Sequence, residues 1–311
     1  MRTCLLLFTA GFLGAQSTSA TYTSDINGNR VAGGAAVSAD GVTTDLRQSI
    51  NGREVPLEQV QEKVLSKSGN TTVTERIVRH YGANGQVVKT DRVVTEETKT
   101  GEGESIVHAT TYRSDISGNM NEAERKTVET RKNGAATVID TAIEKKDLSG
   151  SFSVAEKRTA SAEPTSDGKR ESETVMLRDA NGSLYEAQRS STVETTSGNQ
   201  TVTNTAIYEP TVDNGSLALT RQQVLKTTAN ADGSSRQEVE IFGRASDGRA
   251  REAGAPPALT EKRTIERQKG ADGAIVETQK VQLPNVNDPG KLDAARKVSE
   301  TICRGECTQK P

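Results

Sequence analysis

The sequence predicts an all-β chain, a repetitive antiparallel β-hairpin meander that is extended, largely single-layer and twisted like other strands of L-residues. Three observations predict it. Turn glycines recur at Gly85, Gly101, Gly118, Gly134, Gly150, Gly168, Gly182, Gly198, Gly215 and Gly233. Most steps are about 16 residues, a strand plus a turn. Every second turn, at Gly85, Gly118, Gly150, Gly182, Gly215 and Gly248, closes a two-strand unit of about 32 residues, a period typical of stacked repeats. Between the turns, Thr and Val dominate, and β-branched side chains suit a pleated surface.

The clearest copy runs from Glu171 to Glu194, ESETVMLRDANGSLYEAQRSSTVE. Two strand-like runs flank Asp179-Ala180-Asn181-Gly182, and Asn-Gly accepts the positive φ of a tight primed turn. The run after such a turn often carries paired acids and bases, as in NEAERKTVET, SVAEKRTA and LYEAQRSSTVET. Neither face of these runs is cleanly apolar. On Thr71–Tyr81 one face shows Thr71, Val73, Glu75, Ile77, Arg79 and Tyr81, the other Thr72, Thr74, Arg76, Val78 and His80. A sandwich strand would bury one face. Charges near mid-strand on both faces predict a sheet wet on both sides.

Composition agrees. The 311 residues hold 16 Leu, 12 Ile, 26 Val and 4 Phe, with no Trp, too little apolar and aromatic area for ordinary cores. A largely disordered secreted chain is one alternative, but the net charge of −2 argues for order, because disorder usually accompanies high net charge. The same near-neutrality leaves no basic surplus for nucleic acid and no polybasic patch for an anionic membrane. The mixed charges predict cross-strand Glu–Arg and Glu–Lys pairs.

In chain order, residues 1–20 (MRTCLLLFTAGFLGAQSTSA) read as a secretory signal peptide: Arg2, an apolar stretch from Cys4 to Ala15, then small residues. Cleavage is expected after Ala15 or Ala20. Cys4 lies too near Met1 for a lipid-anchor cysteine, and no later run is long and apolar enough for a transmembrane helix. Residues 21–66 are Gly-rich, with hairpin turns at Asn27-Gly28, Asp40-Gly41 and Asn51-Gly52. Pro56–Leu65 reads as strand by continuity, although a helical stripe of Leu57, Val60, Val64 and Leu65 competes. Residues 67–284 are the repeat body, interrupted by the proline-bearing EAGAPPAL at 252–259. In the tail, 285–311, Asp288-Pro289 opens a possible short helix along Leu292, Ala295, Val298 and Ile302. A further strand through RKVSETIC is the equal alternative.

Few residues suggest chemistry. Cys303 and Cys307 are the disulfide candidate, closing a short loop in an oxidising compartment. Their spacing is not the C-x-x-C of redox proteins. His80 and His108, the two histidines, lack the spaced partners of a zinc site and any G-x-S-x-G elbow for a catalytic triad, so both are expected to be ordinary strand positions. Asp25–Asn29, Asp115-Ser117-Asn119 and Asp179-Asn181-Ser183 imitate calcium-loop alternation, but an EF-hand needs Gly where Arg30 stands and Glu where Ala36 stands. Turn capping by Asp and Asn explains them more simply. Asn70, Asn181, Asn199 and Asn214 head N-glycosylation sequons, relevant only in a glycosylating host. Glu122 and Glu124 share a face without an aromatic sugar cleft. The reading assigns no catalytic, cofactor-binding or metal residue, and no cofactor.

YGANGQVV and RDANGSLY resemble turns in the tyrosine-aspartate repeats of bacterial shell-forming and surface proteins. The resemblance covers the turns alone, since those repeats are shorter and richer in aromatics, and it implies shared hairpin chemistry rather than a family. The expectation is an exported, secreted, non-enzymatic scaffold or protein-binding surface whose partner is a protein or cell surface. A secreted hydrolase is the alternative, with its site where the sheet closes around His80 or His108 and carboxylates.

Overall fold

Main-chain pairing between sequence neighbours organises the described residues of each of two units, because so few side chains are available to build a core. The computed structural model describes residues 21–24, 30–38, 41–50, 53–147, 149–211, 215–243, 257–270, 273–285, 287–288 and 291–303. The expected signal peptide, Gly248 and Cys307 lie outside them. Among the described residues there are eighteen strands and no helix. The chain divides into two units, residues 1–99 with 107–125, and residues 100–106 with 126–311.

The first unit contains β1 (Thr21–Ser24), β2 (Arg30–Ser38), β3 (Gly41–Ile50), β4 (Arg53–Ser68) and β5 (Thr71–Tyr81). It also holds most of β6 (Val87–Gly101) and parts of β7 (Glu104–Ser114) and β8 (Met120–Asn133). β1 to β6 pair antiparallel in sequence order. β1–β2, β2–β3 and β3–β4 pair as antiparallel neighbours, while the expected turn residues Asn27-Gly28, Asp40 and Asn51-Gly52 lie outside the described residues; Pro56–Leu65 is strand.

The second unit contains β9 (Ala136–Lys146), β10 (Phe152–Thr165), β11 (Gly168–Arg178), β12 (Leu184–Ser197), β13 (Gln200–Pro210) and β14 (Leu217–Ala229). It continues through β15 (Ser235–Gly243), β16 (Ala258–Lys269), β17 (Ile275–Gln282) and β18 (Arg296–Cys303). Again each pairs antiparallel with its neighbour. The possible C-terminal helix gives way to β18. Val298, Thr301 and Ile302 are β-branched, and the backbone groups find partners along β17 that a short isolated helix would have to supply itself.

The turns alternate in kind. One set is tight: Ser68 faces Thr71 and Ser197 faces Gln200, with two residues between. The other set forms five-residue loops. In Asp179–Ser183 the Asp179 amide donates to the Ser183 carbonyl at 2.9 Å and the Gly182 amide to the Asp179 carbonyl at 3.1 Å. Asp147–Ser151, Asp115–Asn119, Gly82–Gln86, Asn230–Ser234 and Gly270–Ala274 repeat that pattern. The tight primed turn expected at Asn181-Gly182 is therefore corrected. The loop is a longer type that needs one left-handed residue, Gly182 at φ 88°. Asp179 favours it by accepting the amides of Asn181 and Ser183, both at 2.9 Å.

A second regularity follows the turns. Several strands that leave one of the longer connections carry a β-bulge a few residues on, whereas β15 and β17 keep an unbroken register. The extra residue is Val88 in β6, Ala155 in β10, Ala187 in β12, Thr220 in β14, Thr260 in β16 and Val298 in β18. β4 carries two, at Leu57 and Leu65. A bulge leaves main-chain groups out of the ladder. Thr220 and Thr260 answer this by donating their hydroxyls to the carbonyls of Ile207 (3.3 Å) and Ile241 (2.9 Å) on the opposite strand.

No apolar core forms on the sheet of either unit. Among the described residues the buried apolar side chains are Val78, Val175 and Ala274. The turns should then tolerate change unequally. Gly150 has φ 83° and open space around an added Cβ, so Gly150→Ala should cost about 1–2 kcal/mol through left-handed strain alone. At Gly168 the added Cβ would lie 2.0 Å from the Glu194 carbonyl oxygen. Gly168→Ala should lower the urea midpoint clearly more than Gly150→Ala, by forcing β11 and β12 apart.

Candidate functional site

Side-chain rows across the strands are the main chemical feature of both units. In the first unit one face carries Asp45, Gln59 and Arg79 in line across β3, β4 and β5. Gln59 donates to Asp45 Oδ1 and Arg79 to Gln59 Oε1, each at 2.9 Å. On the same face Glu75 accepts Lys63 Nζ at 2.8 Å and Arg92 Nε at 2.6 Å. The Arg92 guanidinium lies 5.4 Å from the Tyr112 ring centroid. Glu75 is 5% exposed although it sits on a thin sheet. The long stems of Lys63 and Arg92 cover it while their heads stay in water. Lys63, then Arg92, hold the Glu75 carboxyl below its ordinary range against the opposing effect of burial.

The opposite face of the first unit places His80 between carboxylates. Its Nδ1 is 3.3 Å from Glu58 Oε2 and its Nε2 is 3.5 Å from Asp91 Oδ2. Lys89 Nζ binds Asp91 at 2.6 Å, and Arg113 Nε stands 3.9 Å away. The two carboxylates lie on either side of the imidazole and do not converge on one point, and half-exposed cations surround them. His80 is thus one member of a charged row. His108 is an exposed position on β7.

The second unit repeats the theme. Arg236 reaches Glu238 at 2.7 Å and Glu266 at 3.6 Å, Lys262 binds Glu240 at 2.8 Å, and Lys280 binds Glu266 at 3.0 Å. Asp140 accepts Arg131 at 2.6 Å and the Thr159 hydroxyl at 2.7 Å, which holds its carboxyl below the usual range. Hydroxyl pairs join other strands, Ser161 with Ser172 at 2.8 Å and Thr192 with Thr205 at 3.0 Å.

The acid–base pairs seen in the sequence after the turns acquire a geometric meaning. In a regular strand, residues three apart point to opposite faces. Glu186 nevertheless binds Arg189 at 2.8 Å, and Lys297 binds Glu300. Each pair straddles a bulge, Ala187 or Val298, which turns the two residues to one face. Glu122 and Arg125 make the same contact at 2.6 Å around Ala123. Glu122 is therefore an ion-pair partner in this structure.

The Asp-rich turns spend their carboxylates on their own loops. Asp115 accepts the amides of Ser117 at 2.8 Å and Asn119 at 2.9 Å. The Asn119 amide foremost lowers its pKa. Asp147 does the same, with the Ser149 hydroxyl at 2.6 Å the leading cause of its lowered value. Asp25 lies outside the described residues. Among the described residues no three His, Cys, Asp or Glu side chains gather as a metal site. Cys303 ends β18, and Cys307 lies outside the described residues, so the expected bridge rests on the sequence.

One concave feature stands out in the second unit. The loops Asp147–Ser151 and Asp179–Ser183 wall an open recess of about 570 Å³, lined among others by Lys145, Lys146, Arg178, Ser153 and Ala155. Sequence reasoning missed it, because nothing in the Lys-Lys pair signals that Arg178 will face it from two strands away. No protein-family model, curated protein or solved structure matches the chain.

Glu75 makes the electrostatics testable. Its folded-state pKa is depressed, so its contribution is full above the unfolded value of about 4.3 and is lost as pH falls through the lower folded value. Urea midpoints should therefore hold near neutrality and fall below about pH 4.3. Glu75→Gln should cost roughly 2 kcal/mol at pH 7 by leaving Lys63 and Arg92 without their acceptor, and should flatten that acid slope.

Proposed function

We propose that this chain is an exported, non-enzymatic β-repeat protein that serves as a scaffold or protein-binding surface. The observation that carries this reading is the destination of its side chains. They pair with one another in the plane of the sheet, as Glu75 does with Lys63 and Arg92, and enclose little. A chain that folds with few buried groups keeps its strand faces available for contact. The sequence supports export through the signal-like residues 1–20. β18 supports contact by strand addition, because β17 is its one paired neighbour and its second main-chain row can accept an extended segment. Val298 and Ile302 on that strand are each 56% exposed.

Expression of the full chain in a secreting host tests both halves. N-terminal sequencing of the exported form should begin at Gln16 or Thr21. A photo-crosslinking residue in place of Val193, on an exposed face of β12, should give discrete adducts with a cell-surface protein. Retention in the cytoplasm with residues 1–20 intact would sink the export half. Turnover of ester, glycoside or peptide substrates by the purified chain, abolished by His80→Ala, would replace the scaffold reading with the hydrolase.

A further inference from the structure

We propose that the recess between the Asp147–Ser151 and Asp179–Ser183 loops is a binding site for an oxyanion group, a phosphate or carboxylate. The inference stands apart from the scaffold reading, since it concerns one pair of hairpin ends. Three cations line the recess, Lys145, Lys146 and Arg178, against two carboxylates, Asp147 and Asp179. Each carboxylate is held through its Oδ1 by its own loop, and Asp147 also feels the Arg178 charge. Asp147 accepts the amides of Ser149 at 2.8 Å and Ser151 at 3.1 Å as well as the Ser149 hydroxyl. Asp179 accepts the amides of Asn181 and Ser183.

The cations are placed by other contacts. Arg178 donates its Nε–H to the Gly182 carbonyl at 3.2 Å and one terminal N–H to the Ser153 hydroxyl. Its guanidinium is a rigid fork of donors suited to oxyanions, and its charge is felt by Asp147. The Lys146 ammonium rests 5.4 Å from the centroid of the Phe152 ring, a contact that holds it near the rim. Ser149, Ser153 and Asn181 add neutral hydrogen-bonding groups to the lining.

The fold explains why the recess occurs here. Bulges re-aim neighbouring side chains and recur beside functional sites. The bulged residue of β10 is Ala155, which lines the recess and leaves it room. The corresponding bulged residue is the larger Val88 in β6 but again alanine, Ala187, in β12, so the flanking loop and strand-end residues, not the bulge alone, set this recess apart. The strand ends that lead into the other five-residue loops carry His80-Tyr81, Arg113-Ser114, Thr228-Ala229 and Gln268-Lys269 in place of Lys145-Lys146 and Leu177-Arg178. The site therefore belongs to one hairpin pair and not to the repeat as such. A free anion and the acidic groups of a polysaccharide share the required chemistry.

Amide chemical-shift titration of the full mature chain tests the assignment, with inorganic phosphate in one arm and oligogalacturonate in the other. Saturable shifts should cluster in residues 145–155 and 178–183, with phosphate half-saturation in roughly the millimolar range expected for few contacts. Saturation by oligogalacturonate at clearly lower concentration would identify the polymer as the source, and phosphate alone a free anion. Lys145→Gln with Lys146→Gln should weaken binding roughly thirtyfold, through the loss of two ammonium charges from the lining. Ala155→Met should weaken it by filling the recess while every charge stays in place. Lys280→Gln, on β17, should leave it unchanged. Absence of saturable shifts with both probes, or equal shifts in the lysine double variant and in the Ala155→Met variant, would overturn the proposal.

Discussion

Cross-strand pairing is the constraint on which everything else rests. A domain normally recovers the conformational entropy of its chain by burying apolar side chains. Here the buried apolar side chains among the described residues are Val78, Val175 and Ala274, and the main-chain ladder with its side-chain rows must supply the difference. Those rows are individually weak, because an exposed ion pair gains little in water. They act together because each is anchored to strands already held in register. The Asp45–Gln59–Arg79 line crosses three strands with two hydrogen bonds, so loss of register in one strand breaks both. Stability is then a sum over neighbours, as in other repeats.

Register in such a sheet cannot come from a hydrophobic face, since neither face has one. The alternating turns supply it. From β5 to β13 a two-residue turn fixes one end of each strand and a longer loop fixes the other. Where a bulge follows such a loop, as in β6, β10, β12 and β14, it shifts the phase of the strand that leaves it. In β12, Glu186 and Arg189 meet on one face because Ala187 lies between them. The ion pair in turn favours the bulged form, because a regular strand would point the two charges to opposite faces.

Much of the architecture is legible in the sequence because turn glycines obey strict backbone rules. Gly182 and Gly150 sit at positive φ where the periodic pattern puts turns, and the mixed faces of Thr71–Tyr81 are the paired rows of the structure. Asn181-Gly182 misled in one respect. The dipeptide suits a two-residue turn, but Asp179, two residues earlier, caps a longer loop, and a side chain at that distance outweighs a dipeptide preference. The tail misled in another. Leu292, Ala295, Val298 and Ile302 have helical spacing, yet the open edge of β17 offers more than an isolated helix can. The β12 bulge is present in the sequence as Glu186-Ala187-Gln188-Arg189, but its meaning needs the register, since in the sequence alone Glu186 and Arg189 look like opposed faces.

The candidate recess was the least legible feature because it depends on distance across strands. Lys145 and Lys146 end β9, Arg178 ends β11, and Ala155 belongs to the strand between them. No local pattern joins residues about 32 positions apart except the repeat period itself. That period is also what lets such a site arise. Where each unit is held by its neighbours alone, a change at one pair of loops need not disturb the rest of the sheet. Hairpin ends are the parts of this fold least tied to the ladder, so they are where side chains can be exchanged for binding at little cost to register. A site at the Asp147 and Asp179 loops, rather than mid-sheet among the ion-pair rows, is where such a fold has freedom to place one.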